Sequence, residues 1–257
     1  MQLQSADQVW KRIEAVARAG RGVIATDGDG TLWGGDVGED LFHAFVGHGE
    51  VADPALEAMR REAREHGLSD AGSGPDVARR IYAAYLAGGF PEEPVYELMT
   101  WCFAGWTRDR VAAFAREVVD RCGVKSRLHR EVLEVLARAR AAGIPTLLVS
   151  ASPVAIVTAA GAHAGFTVDQ IVAAHPRFDG EVMLADVERP IPYGPGKVSR
   201  LLERIGPDVA LYAAFGDNAF DVPLLAGARI GVAVRPKPRL RERAHEVAGL
   251  VELEPLG

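Results

Sequence analysis

Two aspartates stand one residue apart in the run Asp27-Gly28-Asp29-Gly30-Thr31, directly after the short apolar stretch 22–26. Farther along, Ser150 closes Thr146-Leu147-Leu148-Val149, Lys197 follows Gly194-Pro195-Gly196, and Gly216-Asp217-Asn218 leads within one turn to Asp221. Carboxylates gathered in one place repel one another unless something positive binds among them. Hard oxygen donors suit Mg²⁺, which is commonly held by one or two carboxylates together with a substrate phosphate. A carboxylate is also a competent nucleophile toward phosphorus, and a second one two residues on can protonate a leaving oxygen and then activate water. A lysine and a serine hydroxyl can meet the remaining phosphate oxygens, where charge spreads in the transition state. These residue types offer phosphoryl transfer through a carboxylate.

For that chemistry the four segments must meet, and the pattern between them supplies the means. Residues 5–19 repeat apolar positions at helical spacing (Val9, Ile13, Val16, Ala17) behind Ser5, a natural N-cap. The run 22–26 reads as a buried strand that turns sharply at Gly28 and Gly30. From 37 to 125 only helical periodicity appears, with Leu41, Phe42, Phe45, Val77, Ile81, Tyr85, Val111, Phe114 and Val118 as examples. Beyond it, helices are expected at 131–142, 154–164, 197–205, 222–226 and 239–244, alternating with strands at 144–150, 170–174, 210–215 and 230–234. The segment 178–192, opening on Asp179-Gly180, reads as a β-hairpin. Such alternation predicts an α/β fold, a parallel sheet covered by helices on both faces. Ligands of open α/β sheets bind outside the carboxyl ends of the strands, which is where Asp27, Asp29, Ser150, Asp217 and Asp221 fall.

Composition removes several alternatives. A net charge of −6 argues against a general nucleic-acid binder, which presents a basic face. No stretch reaches the ~18 apolar residues of a membrane span, and the start Met1-Gln2-Leu3-Gln4 lacks the pattern of a signal peptide. Cys102 and Cys122 form neither a zinc motif nor a disulfide framework, so a cytoplasmic setting is expected. A calcium loop is excluded because its fifth, sixth and twelfth positions would be Thr31, Leu32 and Gly38. Trp101, Phe103 and Trp106 read as helical core, the histidines as surface or packing residues, and the basic run 235–243 as a solvated helix face.

In order, Asp27-Gly28-Asp29-Gly30-Thr31, Ser150, Lys197 and Gly216-Asp217-Asn218-Ala219-Phe220-Asp221 resemble the four motifs of the haloacid dehalogenase superfamily. Ser150-Ala151-Ser152-Pro153 and the helical insert after the first motif resemble its phosphoserine phosphatase branch. The resemblance implies a Rossmann-like core over 1–36 and 126–257 and a helical cap over 37–125. It further implies Asp27 as nucleophile and Asp29 as acid/base, with Mg²⁺ on Asp27, Asp217 and the backbone carbonyl of Asp29. Ser150, Ala151 and Lys197 would bind phosphate, and Asn218 and Asp221 would support the metal or the lysine. Two positions depart from the phosphoserine pattern: Phe220 stands where Asn is usual, and Ser150-Ala151-Ser152 where Ser-Gly-Gly is usual.

Asp36 matches the position of a glutamate that meets the substrate's amine in phosphoserine phosphatases, and Glu39 and Asp40 lie beside it. Arg79 or Arg80 could meet a carboxylate. The expected partner is a small phosphorylated metabolite bearing an amine, with no nucleic acid and no membrane. The rivals are a phosphotransferase or phosphomutase using the same carboxylates, and a receiver-like module that merely accepts phosphate; Asp29 and the large insert argue against the latter.

Overall fold

Apolar side chains alternate to both sides of the central strands, and that alternation builds two cores. The computed structural model describes residues 1–18 and 20–256. In chain order it runs β1 (Gln2–Gln4), α1 (Ala6–Ala17), β2 (Gly22–Thr26), then five helices in succession. These are α2 (Val37–His48), α3 (Asp53–Glu65), α4 (Gly74–Leu86), α5 (Glu92–Trp101) and α6 (Arg108–Arg121). There follow α7 (Arg130–Ala141), β3 (Thr146–Pro153), α8 (Val154–Ala162), β4 (Ile171–Ala174) and the strands β5 (Pro176–Asp179) and β6 (Val182–Val187). The chain then continues through α9 (Pro195–Ile205), β7 (Ala210–Gly216), α10 (Val222–Gly227), β8 (Ile230–Val234), α11 (Pro238–Arg243) and β9 (Val251–Leu253).

Seven strands form one parallel sheet in the order β1-β9-β8-β7-β2-β3-β4. Along β2, Ile24 faces one side, packed with Val9 and Ile13 of α1, Leu136 of α7 and Ile156 of α8. Its neighbours Val23 and Ala25 face the other, with Leu201 of α9, Leu225 of α10 and Leu240 of α11. The period of two in a strand and the buried position of parallel sheets produce this division. The helices α2–α6 add their apolar faces to the first core, so Phe45, Met59, Ile81, Phe103 and Trp106 are continuous with the sheet's interior. Trp101, Phe103 and Trp106 are buried there, and Phe103 and Trp106 pack edge to face at 5.3 Å.

Ser5 caps α1 in a capping box with Gln8; the expected end of that helix at residue 19 lies outside the described residues. Two differences from the periodicity have local causes. Asp179-Gly180 is the hairpin's turn, not its start, because Asp179 pairs directly with Val182 and Gly180 takes φ +55° between them. The edge pair β1 and β9 escapes pattern reading, since three-residue strands with polar alternation are recognisable only through their mutual register. Among the described residues no helix is long and apolar enough to cross a membrane.

The sheet centre leaves little room for relaxation, and Ile24 is wholly buried between β3 and β7. Ile24→Ala is therefore expected to lower unfolding free energy by about 2–5 kcal/mol, read by chemical denaturation.

Candidate active site

β2 and β7 are neighbours at the sheet centre, and their C-terminal ends deliver the acidic segments side by side. The amide of Asp27 donates to the carbonyl of Phe215 at 2.9 Å, which fixes the exit of β2 against β7. The chain then folds back, and the amides of Thr31, Leu32 and Trp33 all donate to the carbonyl of Gly28. Gly30, at φ +77°, touches the other loop: a Cβ there would lie 2.1 Å from Asp217 Oδ2. Only glycine allows this approach. After β7, the amides of Asp217 and Asn218 donate to Asp221 Oδ2 at 3.1 and 2.9 Å, so that carboxylate closes the turn. Asn218 Oδ1 accepts from the Ala219 amide at 2.7 Å and caps the same turn.

Asp27, Asp217 and Asp221 are buried, and each offers an oxygen within 4.8 Å of the others'. Lys197, from the first turn of α9, is fully buried with its ammonium between Asp27 (2.5 Å) and Asp221. Burial pulls the lysine's pKa down, but the carboxylates of Asp221 and Asp27 outweigh it and hold the ammonium charged above its ordinary range. Burial raises Asp27 well above the usual carboxylate value; Lys197 opposes this, while Asp221 and Asp217 add to it. Asp217 is pushed up to about 6, chiefly by burial and then by Asp221, against the pull of Lys237. Lys197, together with Lys237, which bonds Asp217 Oδ2 at 2.9 Å, does not satisfy this group. Asp27 Oδ2 and Asp217 Oδ1 are buried acceptors with no hydrogen-bond partner. Orphaned anionic oxygens of this kind are costly, and two hard carboxylate donors so placed fit a divalent cation.

Asp29 is built differently. Its Oδ1 accepts from the Trp33 indole (2.8 Å) and from the amide of Val37 (2.7 Å), the first residue of α2. Its Oδ2 accepts from Ser152 (2.7 Å) and Ser150 (3.3 Å). A helix N-terminus favours negative charge, so α2 orients this carboxylate while four donors fix its plane. Asp29 is thereby held apart from the cluster of Asp27, Asp217 and Asp221.

The structure brings Asp27, Asp29, Ser150, Lys197, Asp217 and Asp221 to one rim, with Ala151 buried in β3 between the two serines. Asp36 is the N-cap of α2, accepting from the Glu39 amide at 2.9 Å, and its carboxyl is raised by burial and by the charge of Asp29. Asp40 is taken up by Arg127 at 2.5 Å. Arg79 and Arg80 are not brought to this rim. Arg79 pairs at 3.1 Å with Asp76 in the first turn of its own helix, and Arg80 donates to the carbonyls of Ser69 and Ala71 in the loop ahead of α4. The basic run is likewise not a wholly solvated face: Lys237 bonds Asp217 at 2.9 Å, and Arg235 bonds buried Glu131 at 2.8 Å. Lys237, Trp33 and Ser152 escaped the sequence reading. Only the motif-adjacent positions of Trp33 and Ser152 could have suggested them, while Lys237 arrives through the β8–α11 connection.

A model of the haloacid dehalogenase-like hydrolases matches residues 24–226. No curated protein matches the chain. A protein of unknown function from Bordetella pertussis Tohama I is similar in structure, with TM-score 0.71 and 23% identity over 91% of this chain and 98% of its own. A substrate-bound phosphoserine phosphatase is similar with TM-score 0.53 and 15% identity, covering 90% of this chain and 93% of its own. A cytosolic 5′-nucleotidase IIIB bound to cytidine gives TM-score 0.58 and 15% identity, over 95% of this chain and 84% of its own.

If the orphaned oxygens belong to a cation seat, added Mg²⁺ raises the melting temperature of the protein in a saturable way. A ligand at a hundred times its Kd stabilises by about 2.7 kcal/mol. Asp217→Asn, which keeps the shape and removes the charge, is expected to abolish that shift in differential scanning fluorimetry.

Proposed function

The chain belongs to the haloacid dehalogenase-like hydrolases, and we propose that it hydrolyses a small phosphomonoester with the help of Mg²⁺, passing the phosphoryl group through Asp27. The observation that carries this reading is the buried, unpartnered Oδ2 of Asp27 beside the ammonium of Lys197. A second carboxylate, Asp29, is held nearby on separate hydrogen bonds. Phosphatase and nucleotidase structures among the similar folds support the same class of substrate.

In this reading an oxygen of Asp27 attacks phosphorus while the bond from phosphorus to the ester oxygen breaks. Asp29, which enters this step protonated and with one of its four acceptor contacts released, gives that proton to the departing oxygen, leaving an alcohol. Asp29 then takes a proton from water, which attacks the phosphoaspartate, releases inorganic phosphate and restores the Asp27 carboxylate. Lys197 balances negative charge on Asp27 and on the phosphoryl oxygens, with the Ser150 hydroxyl and the backbone at Ala151 as further phosphate contacts. Mg²⁺ would be held by Asp27, Asp217 and the carbonyl of Asp29, where it neutralises charge between carboxylate and phosphate; Asn218 and Asp221 keep those groups in position. The helices over 37–125 act as a cap that excludes water from the rim. Asp36 and Glu39, at the start of α2, face the leaving group and select one that carries an amine.

Asp27→Asn is expected to abolish phosphate release from p-nitrophenyl phosphate. Asp29→Asn should lower kcat by about 10²–10⁴-fold, the usual worth of general acid–base help. Activity should vanish on chelation and return with Mg²⁺. Full turnover by Asp27→Asn would remove the nucleophile and the reading with it.

A further inference from the structure

Asp29 is held by four donors of two kinds, and the difference decides which of its oxygens can carry a proton. The Trp33 indole and the Val37 amide meet Oδ1 at 2.8 and 2.7 Å. An indole N–H and a backbone N–H donate and never accept. A proton on Oδ1 would be set against one of them, and neither can turn away, since Trp33 is fully buried and Val37 opens α2. The hydroxyls of Ser152 and Ser150 meet Oδ2 at 2.7 and 3.3 Å. A hydroxyl rotates and serves as donor or acceptor. Oδ2 is therefore the oxygen that can hold a proton.

The two serines differ in turn. Ser150 Oγ already accepts from the Ser152 amide at 3.1 Å, and its contact with Asp29 is the longest that this carboxylate makes. Its hydrogen is the one free to turn to a phosphate oxygen, and that turn opens a place on Oδ2. Ser152 has no such second task. It is buried, and Asp29 is the sole hydrogen-bond partner of its hydroxyl among the described residues. The first turn of α2 closes over it, since a Cβ at Gly38 would lie 2.7 Å from Ser152 Oγ. The phosphoserine pattern has glycine at this position, which offers no hydroxyl.

Resting on the phosphatase reading above, we propose that Ser152 is the positioning residue of the general acid, holding Asp29 Oδ2 toward the leaving oxygen once Ser150 has turned to the phosphate. In the first half of the reaction the bond from phosphorus to the ester oxygen breaks. Its electron pair stays on that oxygen, which takes the proton from Oδ2. The Ser152 O–H donates to Oδ2 as negative charge develops there. Hydrogen bonds to ionised carboxylates are the stronger ones, so this contact favours the state in which the proton has left. In the second half the same hydroxyl steadies Oδ2 while it takes a proton from water.

The test compares kcat/KM for phenyl phosphate and p-nitrophenyl phosphate, with Mg²⁺ present, in the wild type and in Ser152→Ala. The two substrates are close in shape, but nitrophenolate departs with little need of a proton and phenolate does not. This parameter reports the steps up to departure, so hydrolysis of the phosphoenzyme does not enter it. The ratio of the two substrates on one preparation is also independent of how much of it is folded. Ser152→Ala is expected to lower the ratio of phenyl to p-nitrophenyl phosphate by about fivefold or more, a part of the ~10²–10⁴-fold that general acid–base help supplies. In Asp29→Asn the ratio should fall further, and adding Ser152→Ala should then leave it where it is, because residues that act through one group are not additive. An unchanged ratio in Ser152→Ala, whether activity is kept or lost on both substrates alike, overturns the proposal and leaves the phosphatase reading intact. A further fall in the double variant overturns it as well. If the wild type turns over neither substrate, the phosphatase reading itself fails, and the role of Ser152 falls with it.

Discussion

The fully buried ammonium of Lys197 between Asp27 and Asp221 is the interaction on which the rest of this site depends. Taking a carboxylate out of water costs several kcal/mol even after relaxation, and three of them in one pocket cannot all stay charged without compensation. Lys197 and, at Asp217, Lys237 compensate in part; Asp27 stays raised by burial all the same, and two oxygens remain without partners. Removing one member of such a buried group typically costs about 3–5 kcal/mol, since the remaining charge is left uncompensated. The fold therefore carries uncompensated negative charge at a point that favours a divalent cation. A site tuned only for stability would have replaced the cluster with packed apolar side chains.

Sheet topology makes that crowding possible. In the strand order, β2 and β7 are adjacent at the centre, so two short loops emerge side by side and one glycine separates them. Gly30 lets the first loop touch Asp217, and at Gly216 a Cβ would lie 2.6 Å from the Cβ of Asp221. The glycines thus set how closely the carboxylates approach, and the carboxylates set what can bind. β3 comes in from the other side of β2 and sets its serines against Asp29 instead of the cluster. Two acids two residues apart in sequence acquire different surroundings in this way. One is compensated by a lysine and the other is bound by neutral donors.

Much of this was legible in the chain itself. The strand positions, the helical stretch expected over 37–125 and the carboxylates at one rim follow from a period of two, a period of 3.6 and the rule for open α/β sheets, although β3 runs on to Pro153, past the expected end at Ser150. What periodicity cannot carry is partnership across space. Arg79 and Arg80 look free in sequence, yet Asp76 in the first turn of α4 takes up one and the loop before α4 the other. Lys237 looks like one charge in a basic run, yet the β8–α11 connection turns it onto Asp217. Trp33 gives no pattern signal of its role, because its indole bonds Asp29 through the tight turn at Gly28. Edge strands of three residues and side chains that reach across loops are long-range facts, and only assembly reveals them.

Asp29 also explains why the helical segment and the sheet act as one device. Its carboxylate is bonded from below by serines of β3 and from above by the first amide of α2. That same helix is capped by Asp36, and a Cβ at Gly38 would lie 2.7 Å from Ser152 Oγ. A shift of α2 relative to the sheet would therefore break the hydrogen bond that orients Asp29. It would also move Asp36 and Glu39. In the proposed mechanism, the acid/base Asp29 is bonded to the same helix end that carries Asp36 and Glu39. Under that proposal, proton handling and leaving-group recognition would be coupled through the position of α2, by backbone contact and not by a long-range relay.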